Sequence, residues 1–252
     1  MAWELYYTSA PRGLRPGSRG FCTVARTEGM PLPMVDRLES LSGYQPASLQ
    51  MSGNADAAPP LLAHWRVSTV GRPRSVLSRV AMGGSDYSGR LNKLAYHLVL
   101  DASEQFAAGP AWMLSQAGIM KTSWEGEPRL LAPLKLSDSS GDETLRETFR
   151  ETSPEPAGDN RDARALADAF VMDPSKSACI IYPPGVDPLP LLADALSLME
   201  PRLRWQVTFS TCFSELSAGL SCHWRCVPAG SAAAADAQRH ATSGVVIELN
   251  AN

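Results

Sequence analysis

Glu4-Leu5-Tyr6-Tyr7-Thr8-Ser9-Ala10-Pro11-Arg12-Gly13-Leu14-Arg15-Pro16-Gly17-Ser18-Arg19-Gly20-Phe21-Cys22-Thr23-Val24-Ala25-Arg26 is the stretch whose reading decides the fold. Residues 3–8 are aromatic and β-favouring and predict a strand. Residues 20–26 predict a second, with Phe21, Thr23 and Ala25 on one side and Cys22, Val24 and Arg26 on the other. The loop between them turns on its glycines and prolines. Turning does not account for Arg12, Arg15 and Arg19, which stand there with no acid among them. Guanidinium forks suit carboxylates and phosphates alike. The loop is therefore either a solvated hairpin loop or a face for an acidic surface or a phosphate.

Composition bounds what surrounds this hairpin. The chain has 252 residues, enough for one large core or two small ones. It is 44% hydrophobic and 19% charged, which is the balance of a globular protein. Its net charge of -3 supplies no global field for nucleic acid. The N-terminus lacks a basic lead-in and a long apolar run, so no signal peptide is read there. Five cysteines, an odd number in a chain this long, point to a reducing cytoplasm.

After the hairpin, Pro31 or Pro33 opens a helix with Val35, Leu38 and Leu41 on one stripe, and Gly43 ends it. Residues 45–60 are polar and read as a loop. Residues 61–70 and 75–82 predict a strand pair turning at 71–74. Gly84 to Arg90 has the glycine spacing of a phosphate loop. Arg90 stands where Lys is required, Leu91 stands where Ser or Thr belongs, and a strand follows instead of a helix. It reads as a mobile glycine-rich connection. Residues 93–101 predict the central strand: Leu94, Tyr96, Leu98 and Leu100 face one way and Ala95, His97 and Val99 the other, both sides apolar. Residues 129–136 predict a short strand whose Pro133 confines it to an edge.

Residues 137–160 are acidic and polar, with almost nothing to bury, and read as a linker or insert between domains at 1–136 and 161–252. Asn160 starts a helix striped by Ala163, Leu166, Ala169 and Phe170. A strand at 177–182 follows, then a helix at 188–199 capped by Asp187. Strands are predicted at 204–209 and 219–227, an alanine-rich helix after Ser231, and a last strand at 244–249. The fold class is α+β: an N-terminal, mostly antiparallel sheet with few helices, then a smaller α/β unit. The chain ends just after that last strand, and a longer native protein is expected.

Chemistry-bearing residues are few. Cys212, Cys222, His223 and Cys226 invite a zinc reading, but alternation places Leu220, Cys222, Trp224 and Cys226 on one core face. Cys22 and His97 form the one nucleophile–base pair that can be assembled. No metal and no cofactor is expected. The arginine loop lacks interleaved aromatics, which weighs against nucleic acid.

The run 4–14, then Gly17 to Thr27, Gly29-Met30-Pro31 and Leu38-Glu39-Ser40-Leu41-Ser42-Gly43-Tyr44, resembles the N-terminal domain of the bacterial GTPase-associated protein family. Arg90-Leu91-Asn92-Lys93-Leu94-Ala95-Tyr96-His97-Leu98-Val99-Leu100-Asp101 agrees with the same domain, and residues 161–252 are similar to the family's middle domain. These proteins are proposed parts of NTP-dependent conflict (defence-like) systems, encoded beside GTPases. The resemblance implies a cytoplasmic, non-catalytic adaptor or regulator that engages a GTPase or another protein of such a system, and it carries over no catalytic residues. Contact candidates are Arg12, Arg15, Arg19, Arg90 and Asn92. The alternatives are an enzyme using Cys22 and His97, and a purely structural scaffold domain. No membrane contact is expected.

Overall fold

The computed structural model describes residues 1–43, 59–69, 72–136, 160–216, 218–239 and 244–250. The turn at 70–71, most of the 45–60 loop, the 137–160 segment up to residue 159 and His240 lie outside the described residues. The chain is mixed α+β and divides into two compact units. The first comprises Met1–Leu62, Val67–Glu104 and Ala117–Leu136; the second comprises Ala63–Arg66, Gln105–Gln116 and Ser137–Asn252.

The first unit holds β1 (Trp3–Ala10), β2 (Gly20–Thr27), α1 (Leu32–Leu41), the ends of β3 (Leu61–Thr69), β4 (Arg72–Ser85), β5 (Leu91–Leu100) and β6 (Arg129–Leu131). Its strands run β4-β5-β1-β2-β6, antiparallel except for the parallel β2–β6 pair, and β6 is the edge strand that Pro133 led one to expect. The opening hairpin is the β1–β2 pair. Its register slips once, between Tyr6 and Tyr7, leaving Val24 as an extra residue in a bulge of β2. β5 sits between β1 and β4, and its residues 95–100 are buried on both faces.

Each face of this sheet is stitched as well as packed. On one, α1 buries Met34, Val35, Leu38 and Leu41. Thr23 Oγ1 donates to Glu39 Oε1 at 2.6 Å, and the Ser42 hydroxyl lies 2.9 Å from His97 Nε2. On the other, the Tyr96 hydroxyl donates to the buried Glu4 at 2.7 Å, and Tyr6 packs on Tyr96 and Trp124 at 4.8 and 5.0 Å. Burial pushes the Tyr6 phenol up to about 12, helped by Glu4. A buried carboxylate with a hydroxyl donor of its own is satisfied rather than reactive.

The second unit holds α2 (Pro110–Ser115), α3 (Asn160–Met172), β7 (Ala178–Tyr182), α4 (Leu189–Ser197), α5 (Pro201–Arg204), β8 (Phe209–Ser210), β9 (Trp224–Pro228), α6 (Ala232–Arg239) and β10 (Val245–Glu248). Its strands run β10-β7-β9-β8, all parallel, with β8 antiparallel to Ala63 and His64 of β3. Helices are interspersed among these parallel strands, as an α/β reading requires, although among the described residues none stands between β8 and β9. Asp187 accepts from the Leu189 backbone N–H at 2.9 Å, and Ser231 from that of Ala234 at 3.1 Å, so both helix starts are capped as their residue types predicted. One strand differs. The alternation Trp205, Val207, Phe209 predicted a strand over 204–209, yet only Phe209–Ser210 is extended and Pro201–Arg204 is helical. Pro201 takes the first helical turn, where its missing N–H costs nothing. The three apolar side chains are still all buried, and the Trp205 indole donates to the Phe106 carbonyl at 2.7 Å.

Burial holds His64 and His97 at about 3, so both are neutral in the folded chain. An unfolded histidine protonates near pH 6.5. Between pH 3 and 6.5 the unfolded state therefore binds more protons, and stability falls as pH falls. The limit is about 1.4 kcal/mol per pH unit for each histidine. Urea midpoints followed by tryptophan fluorescence should drop between pH 7 and 4.5. His97→Asn, which keeps a donor and an acceptor but does not titrate, should flatten that slope.

Candidate partner-binding site

The β1–β2 loop folds back on itself. Gly13 N–H donates to the Ser18 carbonyl at 3.0 Å and Leu14 N–H to that of Thr23 at 2.9 Å. Gly13 is required by space: a Cβ there would stand 2.5 Å from Ser18 Oγ and 2.6 Å from Cys22 Sγ. Gly13→Ala should therefore lower stability by about 1–3 kcal/mol in urea unfolding, the cost of forcing a methyl into a filled site.

The three loop arginines have different fates. Arg15 hydrogen-bonds Asp36 and lies 3.9 Å from Glu39, both on α1, so it ties the loop down. The Asp36 bond, then Glu39, raises its pKa further. Arg12 and Arg19 are exposed and have no ion-pair or hydrogen-bond partner among the described residues.

The β4–β5 connection lies at the same end of the sheet, and it corrects the expectation of a mobile glycine-rich link. It is built around the buried carboxylate of Asp86. Oδ1 accepts from Ser88 N–H at 2.7 Å, Ser88 Oγ at 2.6 Å and Arg90 N–H at 3.0 Å. Oδ2 accepts from Ser9 Oγ at 2.8 Å and from the Arg90 guanidinium at 3.3 Å. The Ser88 hydroxyl, then Ser9 and the two backbone donors, hold Asp86 well below the usual carboxylate range. Asn92 closes the other side: its Oδ1 accepts from Thr8 Oγ1 and Ser9 N–H, each at 3.2 Å, and from Lys93 N–H at 2.8 Å.

The structure thus brings Arg12, Arg15, Arg19, Arg90 and Asn92 to one end of the first unit, with different roles. Arg15, Asn92 and the Arg90 guanidinium hold the two loops in place, while Arg12 and Arg19 are exposed without a partner among the described residues and Arg90 stays 69% exposed. Asp86 and Ser9 were missed by the sequence reading. The signal for Asp86 was present, because an Asp two residues before a Ser and three before a Gly forms a side-chain-to-backbone turn.

Cys22 and His97 are not brought together. Cys22 pairs with Thr8 of β1, while His97 pairs with Leu5 from the other side of that strand. Two strand spacings and a three-residue offset separate the two Cα atoms by roughly 14 Å, and the odd offset puts the side chains on opposite faces. Both imidazole nitrogens are also engaged. Ser42 gives its hydroxyl proton to the Leu38 carbonyl, so it accepts from His97 Nε2–H, and Ser78 donates to Nδ1 at 2.8 Å. Burial pushes the Cys22 thiol up, away from the thiolate a nucleophile needs.

The sulfur-rich part of the second unit also lies in the core. Cys222, Trp224 and Cys226 are buried, and burial pushes the Cys222 thiol to about 12. The Thr208 N–H donates to His223 Nδ1 at 2.9 Å. Among the described residues no three His, Cys, Asp or Glu side chains could hold a metal ion. A cavity of about 220 Å³ beside Ile181, Ser231 and Glu248 has its Gln238 and Glu248 bonded to one another at 2.7 Å. No helix among the described residues is long and apolar enough to cross a membrane.

Asp86→Asn should free the turn, since an amide oxygen is a weaker acceptor for the Arg90 guanidinium. Amide exchange at Ser88 and Arg90 should rise at least several-fold, while residues 95–100 of β5 stay protected.

Residues 1–136 match the family described as GTPase-associated protein 1, N-terminal domain type 2. Residues 149–251 match GTPase-associated protein 1, middle domain. No curated protein and no solved structure matches the chain.

Proposed function

Because the chain belongs to the GTPase-associated protein 1 family, we propose that it is a non-catalytic binding module that engages a GTPase or another protein of a bacterial conflict system in the cytoplasm. The supporting observation is the basic end of the first unit. Arg12 and Arg19 are exposed without partners among the described residues, and Arg90 is exposed beside them on a loop that Asp86 fixes. Exposed arginines carried on anchored backbone suit carboxylates on a partner, because the loops need not be ordered on binding. The Cys22–His97 pair finds no such support: the two sit on different strands, the histidine is fully engaged and the thiol is protonated.

Co-purification of the full-length protein with the GTPase encoded beside it, followed by lysine-directed and carboxylate-directed crosslinking, tests this reading. Crosslinks within residues 1–136 are expected. Co-purification without crosslinks to residues 1–136 would favour a scaffold role instead.

A further inference from the structure

The two loops carry more than charge. Phe21, Tyr87 and Leu91 are large apolar side chains exposed by 42%, 53% and 43%. They stand at the same end of the first unit, connected through the ladder and Asp86. Phe21 pairs with Ser9 across the β1–β2 ladder, and Ser9 donates to Asp86, which neighbours Tyr87 and holds the Arg90 guanidinium. Leu91 pairs with Ser85 at the other side of the same turn. Phe21 is already braced, stacked on Tyr7 at 6.4 Å with the Lys93 ammonium 5.1 Å from its ring centroid. Burial lowers the pKa of that lysine, consistent with an amine partly covered by the ring.

Exposed charge on the two loops themselves has one sign, while the acids Asp36 and Glu39 of α1 flank the hairpin loop and are taken up by Arg15 and Thr23. The two loops contain a single carboxylate, Asp86, whose side chain is 1% exposed and has its acceptors filled. Arg90 is 69% exposed on the side chain, and Arg12 and Arg19 are exposed on the hairpin loop. Exposed aromatics and arginines on a rigid support form the composition that concentrates binding energy at protein interfaces. The net charge of -3 over the whole chain makes this basic end a local feature and weighs against a nucleic-acid groove.

We infer that this end of the first unit docks an acidic protein surface with an apolar centre of its own: Phe21, Tyr87 and Leu91 meet that centre, and Arg12, Arg19 and Arg90 ring it. The inference rests on the protein-binding reading above and narrows it, because it removes Arg15 and Asn92 from the contact set and adds three apolar residues. All six residues are exposed, but the Arg90 guanidinium also donates to the buried Asp86, so the charge-reversal test is confined to Arg12 and Arg19, whose substitution leaves the buried supports of the fold in place.

Binding of the full-length protein to the purified neighbouring GTPase, measured by interferometry at two salt concentrations, tests it. Two variants carry the test, R12E/R19E and F21S/Y87S, with R164E/R202E in the second unit as a charge-matched control. Circular dichroism melting checks that all three fold. Each test variant should lose about tenfold or more in affinity, the scale of a hot-spot pair. The charge-reversed variant should also lose its salt dependence, and the control should stay within about twofold. Wild-type affinity in both test variants would overturn the docking face while leaving the GTPase reading standing. Absence of any GTPase binding would overturn that reading. The face is then judged with a poly-L-glutamate probe and a twenty-nucleotide oligo(dT) probe. Arginine-dependent binding of polyglutamate alone supports it; binding of neither, or of oligo(dT) as tightly, overturns it.

Discussion

The Asp86 carboxylate joins two parts of the chain that lie 77 residues apart in sequence, because Ser9 at the end of β1 donates to it from one side and the turn at Ser88 and Arg90 from the other. Burying a charge is costly unless donors replace its water, and here the replacements are hydroxyls, backbone amides and one guanidinium. The outcome is a rigid corner. The β4–β5 turn cannot swing away from the hairpin without exposing an unpaired carboxylate or breaking the Ser9 bond. Asn92, at the start of β5, adds a second tie, its side-chain oxygen accepting hydrogen bonds from the Ser9 and Lys93 backbone N–H groups.

A fixed corner matters because of what stands on it. Arg15 ends on Asp36 and Glu39, so the hairpin loop is anchored to α1 as well. Arg12, Arg19 and Arg90 are then left facing solvent from a support already ordered before any partner arrives. Such a surface loses less conformational entropy on association than one carried on unanchored loops. The same rigidity argues against chemistry at this end. The imidazole of His97 lies inside the sheet between two serines, and the Cys22 thiol is occupied with filling the space beside Gly13.

Much of this fold is legible in the sequence because the signals are periodic. Leu94 to Leu100 alternate on two apolar faces and form the doubly covered β5; Val35, Leu38 and Leu41 repeat at helical spacing and form the buried stripe of α1. Cys222, Trp224 and Cys226 alternate into the core as expected, with His223 and Arg225 on the other side. Where periodicity is ambiguous the reading departs from the structure. Trp205, Val207 and Phe209 alternate like a strand, but Pro201 starts a helical turn just before them, and an irregular segment buries the same side chains. The glycines at 83, 84 and 89 masked Asp86, since glycine signals turning without saying what holds the turn. Its partner Ser9 is on a distant strand, a pairing that no local window contains. The division of labour among the arginines is hidden for the same reason, because the acids that claim Arg15 belong to a helix more than twenty residues on.

The proposed meeting place of protein and partner is the corner made by the two loops. Hydrogen–deuterium exchange of the protein, free and saturated with a GTPase that co-purifies with it, tests that most directly. Protection gained at residues 12–22 and 86–92, with β5 and the second unit unchanged, is the predicted result. Protection gained elsewhere with none at these two loops would contradict it.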